Sequence, residues 1–430
     1  MKKLDKKDVK TLGLSALGGT LEFYDFIIFA IFTPYFTHHF FPAELDESVK
    51  LLNTYGTFAA GYLARPLGGI VMAHFGDKFG RKNMFLLSII LMVIPTFLFA
   101  IMPTYEQIGY FAIFLLLFIR LIQGVAIGGE LPGAWAFIYE HSPKHSTGLF
   151  LGLLTCGVCG GIVLGTFSAL ILQLNYTENE IKEYAYRIPF VIGGIFGIIS
   201  VYLRRFLSET PTFKKLKESN ALSTFPLKEV IKYNKKKVIL SMLSTLVLTA
   251  CILILLLLMP NYAKKVLEIE PITNTCIQMA GAFVVIIGLI CTGALADSFK
   301  PSSICKIFSI GLIVFSAFYF YEVYVGKNEL LFCVAYLLTC FFVGVVNFTS
   351  IFMCELFPTN IRFSGISFSY NISYAIAGFF TPIIFIALHE QALINHNLGG
   401  GYYLIFMGFV SYLSAVIFDK LIKKEAKCNE

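Results

Sequence analysis

The sequence predicts an all-α integral membrane protein with twelve transmembrane helices arranged as two six-helix bundles. Three observations predict it: an apolar composition, apolar runs of spanning length repeated along the chain, and loops that alternate between rich and poor in basic residues. Of 430 residues, 57% are apolar and 14% charged, with a mean hydropathy of +0.75; soluble domains run at roughly 45–50% apolar and 25% charged. A bilayer core about 30 Å thick takes about 20 apolar residues per helix. Runs of that kind fall near 13–41, 51–75, 83–102, 108–139, 147–174, 187–207, 237–260, 274–296, 303–324, 329–354, 363–388 and 402–419.

With the N-terminus inside, the inner segments hold 26 of the 34 Lys and Arg residues and the outer segments six, leaving Arg65 and Arg120 within spans. That asymmetry predicts a bacterial cytoplasmic (inner) membrane protein with both termini in the cytoplasm. The net charge of +7 then reflects topology and contact with membrane lipid, and no nucleic-acid partner is expected. The most basic inner segment, 204–237, carries 10 Lys and Arg residues with Pro211 and Pro226. It divides the chain into an N-terminal bundle (1–203), a cytoplasmic linker (204–237) and a C-terminal bundle (238–430). Carriers built from two such halves bind their substrate near the bilayer midplane, between the halves.

The opening MKKLDKKDVK leads into the first span without a small-residue cleavage site, so that span is expected to stay. Within it, Glu22 and Asp25 lie three residues apart on one helix face. Two carboxylates so placed repel when both are ionised, so one is expected to hold a proton readily. The plainer reading has both bonded to helix ends or to each other. The second span carries Arg65 and the fourth Arg120, each too polar for lipid and always charged. Either these arginines neutralise Glu22, Asp25 or Glu130, or they hold a substrate carboxylate or tune a proton site. Arg120 and Glu130 lie ten residues apart, about 15 Å along a helix, too far for direct pairing.

In the fifth run, Cys156 and Cys159 form a C-x-x-C inside TCGVCGGIVLG. Small neighbours and an apolar setting make them packing residues rather than a redox or metal centre. Gly157, Gly161 and Gly165 repeat every four residues, as do Gly124 and Gly128, which lets helices approach closely. No Walker lysine follows any Gly-rich stretch, so nucleotide binding is not expected. The second half has few charges within spans, chiefly Glu322, so ion coupling is expected in the first half. In the eleventh span, Tyr370 and Tyr374 share a face and Asn371 is adjacent. They either line a cavity opposite the arginines or pack at helix contacts.

Several short motifs, in order, resemble the metabolite:proton symporter branch of the major facilitator superfamily over about residues 18–388. HFGDKFGRK (74–82) resembles the superfamily's gating loop, with Asp77, Gly80 and Arg81 in place, Ala73 where a glycine is usual, and the last basic position one residue early at Lys82. RLIQGVAIGGE (120–130) resembles the fourth-helix motif, although Leu131 and Pro132 follow where an aromatic residue is frequent. EFYDF (22–26), ARPLGG (64–69), RIPF (187–190), RRFLSETPTF (204–213), ELFPTNIRFSG (355–365) and YN (370–371) also match. In the second half GALADSFKP keeps Gly293 and Asp297 but lacks Gly-Arg, which predicts weaker charge pairing at that gate.

The resemblance implies alternating access, with no cofactor and a proton as the coupling ion, for symport of a small organic acid or zwitterionic metabolite. Proton coupling is expected at Asp25, Glu22, Glu130 and Arg120. Substrate contacts fall to Arg65, Arg120, Gln123, Tyr24, Tyr370, Asn371 and Tyr374. Gating falls to Asp77, Gly80, Arg81, Lys82, Asp297, Glu355 and Arg362. A proton-independent facilitator or exporter of a small polar metabolite is the alternative. An enzyme is not expected, because the seven histidines are dispersed, and the carrier is expected to act as a monomer. The short tail DKLIKKEAKCNE argues against osmotic gating by a C-terminal coiled coil.

Overall fold

The computed structural model describes residues 6–79, 81–204, 218 and 226–429. Gly80, most of the 204–237 segment, and the side chains of Glu22, Arg81 and Lys82 lie outside the described residues. Twelve long helical segments follow one another: α1 (Lys6–Phe40), α2 (Glu47–Phe79), α3 (Arg81–Ala100), α4 (Tyr110–His141), α5 (Thr147–Asn175) and α6 (Arg187–Arg204) in the first half. The second half has α7 (Lys235–Ile252, continuing through Leu253–Leu258 to Met259–Val266), α8 (Pro271–Ser298), α9 (Pro301–Gly326), α10 (Glu329–Leu356), α11 (Arg362–Asn395) and α12 (Gly401–Asn429). Nine of the described spans are long and apolar enough to cross a membrane, and α6 joins them when taken with the preceding Glu178–Ala185, from which it bends by 50°. The apolar stretch of α3 is shorter, and α2 is diluted by Arg65, His74 and Asp77.

Between lipid-facing helices there is little hydrophobic drive, so packing rests on small residues that let backbones meet. The glycine repeats do this. A Cβ at Gly124 would overlap the Gly61 carbonyl and one at Gly128 the Arg65 carbonyl, which seats α4 on α2. Gly161 is as tight, its would-be Cβ 2.7 Å from the Tyr24 nitrogen and 2.8 Å from the Thr20 carbonyl, which seats α5 on α1. The halves meet along two seams, α5 against α8 and α2 against α11. At the first seam Gly148 and Gly293 face each other, each would-be Cβ 2.7 Å from the other's carbonyl oxygen. Cys156 is packed into the same seam, its Sγ 3.5 Å from the Ile286 carbonyl, and Cys159 is buried beside it.

Two helices depart from α geometry near mid-span. In α7, Leu253–Leu258 is a π-helix, and the carbonyls it loosens find new donors: Tyr336 Oη to Leu255 O at 3.1 Å and Gln278 Nε2 to Leu256 O. In α10, Val343–Val346 tightens to a 3-10 turn, and Thr292 Oγ1 donates to the Gly344 carbonyl at 3.0 Å. Such breaks recur where a cavity needs irregular backbone.

Candidate functional site

Two adjoining narrow recesses lie among the helices, with cavity volumes of about 20 and 30 Å³, room for a water or two. They share Phe23, Leu131 and Val158. The first lies within the first half and carries both charges, Arg65 and Glu130. The second is bounded by both halves: Trp135, Thr155 and Cys159 on one side, and Val346, Tyr370 and Tyr374 on the other. Its rim includes Ile252 and Val346, where α7 and α10 change geometry.

Arg65 is 1% exposed and held among aromatic faces. Its guanidinium carbon is 3.8 Å from the Tyr374 ring centroid, 5.5 Å from Tyr370 and 5.9 Å from Tyr62. Tyr62 stacks on Tyr374 at 5.4 Å, Tyr370 lies 5.2 Å from Tyr374, and Trp135 meets Tyr370 edge-on at 5.1 Å. Nε and Nη1 of Arg65 have no hydrogen-bond partner among the described residues. A buried fork with open N–H donors suits a planar carboxylate, and the neighbouring π faces suit an organic cation.

Arg120 and Asp25 do not touch; two polar side chains join them. Arg120 Nη1 donates to Gln123 Oε1 at 2.7 Å, and Gln123 Nε2 donates to Thr96 Oγ1 at 3.1 Å. Thr96 Oγ1 lies 3.4 Å from Asp25 Oδ2 and 3.0 Å from the Met92 carbonyl. All four side chains are buried. The Arg120 guanidinium also lies 4.0 Å above the Phe29 ring, and Gly193 of α6 abuts the Asp25 carboxylate. The network joins α1, α3 and α4 apart from the two recesses. Gln123 therefore lies off the cavity, as does Tyr24, whose hydroxyl donates to the Pro189 carbonyl at 3.1 Å.

At the end of the molecule that holds the chain termini, each half caps a helix of the other. Asp77 at the end of α2 accepts from Ser364 N at 2.9 Å and Ser364 Oγ at 2.8 Å, at the start of α11. Asp297 at the end of α8 accepts from Gly148 N at 2.6 Å and Leu149 N at 2.8 Å, at the start of α5. At Asp297 a helix N-terminus supplies both N–H donors and a positive dipole end, in place of a charged side chain. Arg362 pairs with Glu140 at 2.9 Å, across the halves, rather than with the exposed Glu355. Asn371 also crosses the halves, its Nδ2 donating to the Gly128 carbonyl at 2.6 Å, and lines neither recess. Any exchange of partners by Arg81 falls on a side chain outside the described residues.

The family model of the Major Facilitator Superfamily matches residues 16–382. The chain belongs to this superfamily. Among curated relatives, the proline/betaine transporter of Escherichia coli (strain K12) is 29% identical, over 98% of this chain and 86% of the relative. The glycine betaine/proline/ectoine/pipecolic acid transporter OusA of Dickeya dadantii (strain 3937) is also 29% identical, over 97% of this chain and 84% of its own length. The solved structure of the proton:xylose symporter XylE bound to 6-bromo-6-deoxy-D-glucose superposes with a TM-score of 0.80 at 14% identity, covering 96% of this chain and 95% of that one. That likeness is one of fold. The chain is a multi-pass membrane transporter of the major facilitator type and not an enzyme.

Within this transporter, several residues bordering the recesses or the seams, or within the buried network, carry no warning in the sequence. Trp135, the single tryptophan, follows Glu130 by five positions in the same helix and borders the second recess. Phe23 belongs to both recesses, yet in sequence it is one aromatic among many. Thr96 and Glu140 have ordinary neighbours and gain meaning only from the helices that meet them.

Proposed function

We propose that this protein is a proton-coupled symporter that takes up a small zwitterion, bearing a carboxylate and a quaternary or secondary ammonium group, across the cytoplasmic membrane. The observation that carries the reading is the joint presence, in adjoining recesses, of Arg65 with open N–H donors and of the Phe23, Trp135, Tyr370 and Tyr374 rings, with Glu130 in the same wall. The guanidinium takes the carboxylate, and the π faces with the Glu130 carboxylate take the ammonium. The printed names of the relatives support this reading, since betaine, proline and pipecolic acid all combine a carboxylate with a charged nitrogen.

Coupling in this reading belongs to Asp25, which gains a proton from the outer side and loses it inside. Arg120 answers the change through Gln123 and Thr96. The Asp77 and Asp297 caps hold the inner end shut and release when the halves rock. Uptake of labelled glycine betaine into proteoliposomes under an inward proton gradient tests the reading, with proline and succinate as competitors. Betaine should accumulate, proline should compete and succinate should not. Accumulation of succinate, with betaine ineffective as a competitor, would overturn the substrate assignment. Downhill betaine flux indifferent to a protonophore would point to a facilitator instead.

A further inference from the structure

The Asp25 to Arg120 network has a directionality that its donors and acceptors dictate. Arginine only donates hydrogen bonds, so the atom of Gln123 that faces Arg120 must be the carbonyl Oε1. The amide nitrogen then faces Thr96 at 3.1 Å, and the Thr96 oxygen must accept. One proton remains on that hydroxyl, and it has two acceptors within reach: the Met92 carbonyl at 3.0 Å and Asp25 Oδ2 at 3.4 Å. Only one can receive it at a time.

We propose that Thr96 is the positioning residue that reports the protonation of Asp25 to Arg120, a step that rests on the coupling role given above to Asp25. When the carboxyl is protonated, its O–H donates to Thr96 and the threonine proton stays on Met92 O. When the carboxyl is ionised, the threonine proton turns to Asp25 and leaves Met92 O. Each state alters what the threonine oxygen offers Gln123, and so how firmly the amide holds Arg120 Nη1 at 2.7 Å. Pro95 precedes Thr96 inside α3 and lacks the N–H that would bond back to Leu91, so the turn carrying the hydroxyl has one backbone bond fewer. The titratable groups around this network are Arg120 on α4, Tyr24 on α1 and Tyr62 on α2, with the Glu22 side chain outside the described residues. The contacts from α3 and α6 are Thr96 and Gly193, neither of which titrates.

The test compares Thr96→Val, Thr96→Ser and Asp25→Asn in proteoliposomes, reading betaine accumulation, its pH profile, and counterflow exchange. Valine keeps the shape and removes the hydroxyl; serine keeps the hydroxyl. Thr96→Val should lower proton-driven accumulation at least tenfold and flatten its pH profile, while exchange falls much less. Thr96→Ser should restore accumulation to within about twofold of the parent. Should Thr96→Val insert poorly, Gln123→Met breaks the same link from α4 and should give the same split between accumulation and exchange. If Asp25→Asn abolishes accumulation but Thr96→Val and Gln123→Met accumulate with the parent's pH profile, the inference about Thr96 fails alone. If Asp25→Asn itself accumulates normally, the coupling role of Asp25 fails with it.

Discussion

Arg65 has aromatic rings on one side and open N–H donors on the other, and each half of that setting leads to a different expectation. Arg65→Lys keeps the charge but replaces a flat fork by a single point donor. KM for betaine should rise about 10- to 150-fold, the loss expected for a bidentate charged contact of roughly 1.5–3 kcal/mol. Trp135→Leu keeps apolar bulk and removes the π face, so betaine should lose more affinity than proline, which still has N–H groups to donate. Competition assays against labelled proline report both changes. Equal losses for the two solutes would show Trp135 to be packing alone. Arg65 is legible in sequence because a charge in an apolar run demands an explanation, and Tyr370 and Tyr374 are legible because they share a face. Trp135 and Thr96 are not, since a tryptophan or threonine in a membrane helix is satisfied by ordinary packing or by its own i−4 carbonyl.

Among helices, the glycine-spaced contacts and the helix caps make separable predictions. Leucine at Gly128 would collide with the Arg65 carbonyl, and overpacking of a close seam costs about 1–3 kcal/mol. Gly128→Leu should therefore lower the yield and melting temperature of purified protein; an unchanged melting temperature would mean that α2 and α4 need not pack this closely. Asp77→Asn weakens a carboxylate at a helix N-terminus, worth roughly 0.3–1 kcal/mol and up to about 2 in partly buried geometry. Populations should shift about 2- to 30-fold towards opening at the termini-bearing end. Betaine affinity should hardly change while turnover falls, and a thiol probe on a cysteine placed at Ser364 should react faster. Asp297→Asn should act the same way at the other seam, and no rate change in either variant would deny the caps a gating role. Helix positions were readable from apolar run length. The π turn at Leu253–Leu258 was not, because a run of leucine and isoleucine looks alike in α and π geometry, and the bonds from Tyr336 and Gln278 that meet it come from other helices.

Across the whole molecule, the second recess lies between halves that touch along two seams, joined at the termini-bearing end by Asp77, Asp297 and the Arg362 to Glu140 pair. Opening that end means parting these contacts together, whereas at the opposite end Thr275 Oγ1 donates to Gln173 Oε1 across the halves at 3.1 Å. The two-half plan was legible from the charged linker and the 26-to-6 distribution of basic residues. The seam pairing was not, since it depends on which faces of α5, α8, α2 and α11 meet. The most direct test of substrate and proton moving together is lumenal pH in proteoliposomes loaded with a pH-sensitive dye, with betaine added outside and no imposed gradient. Wild-type protein should acidify the lumen when betaine is added, and Asp25→Asn should not, although it still exchanges betaine. Betaine entry without acidification in the wild type would contradict the account.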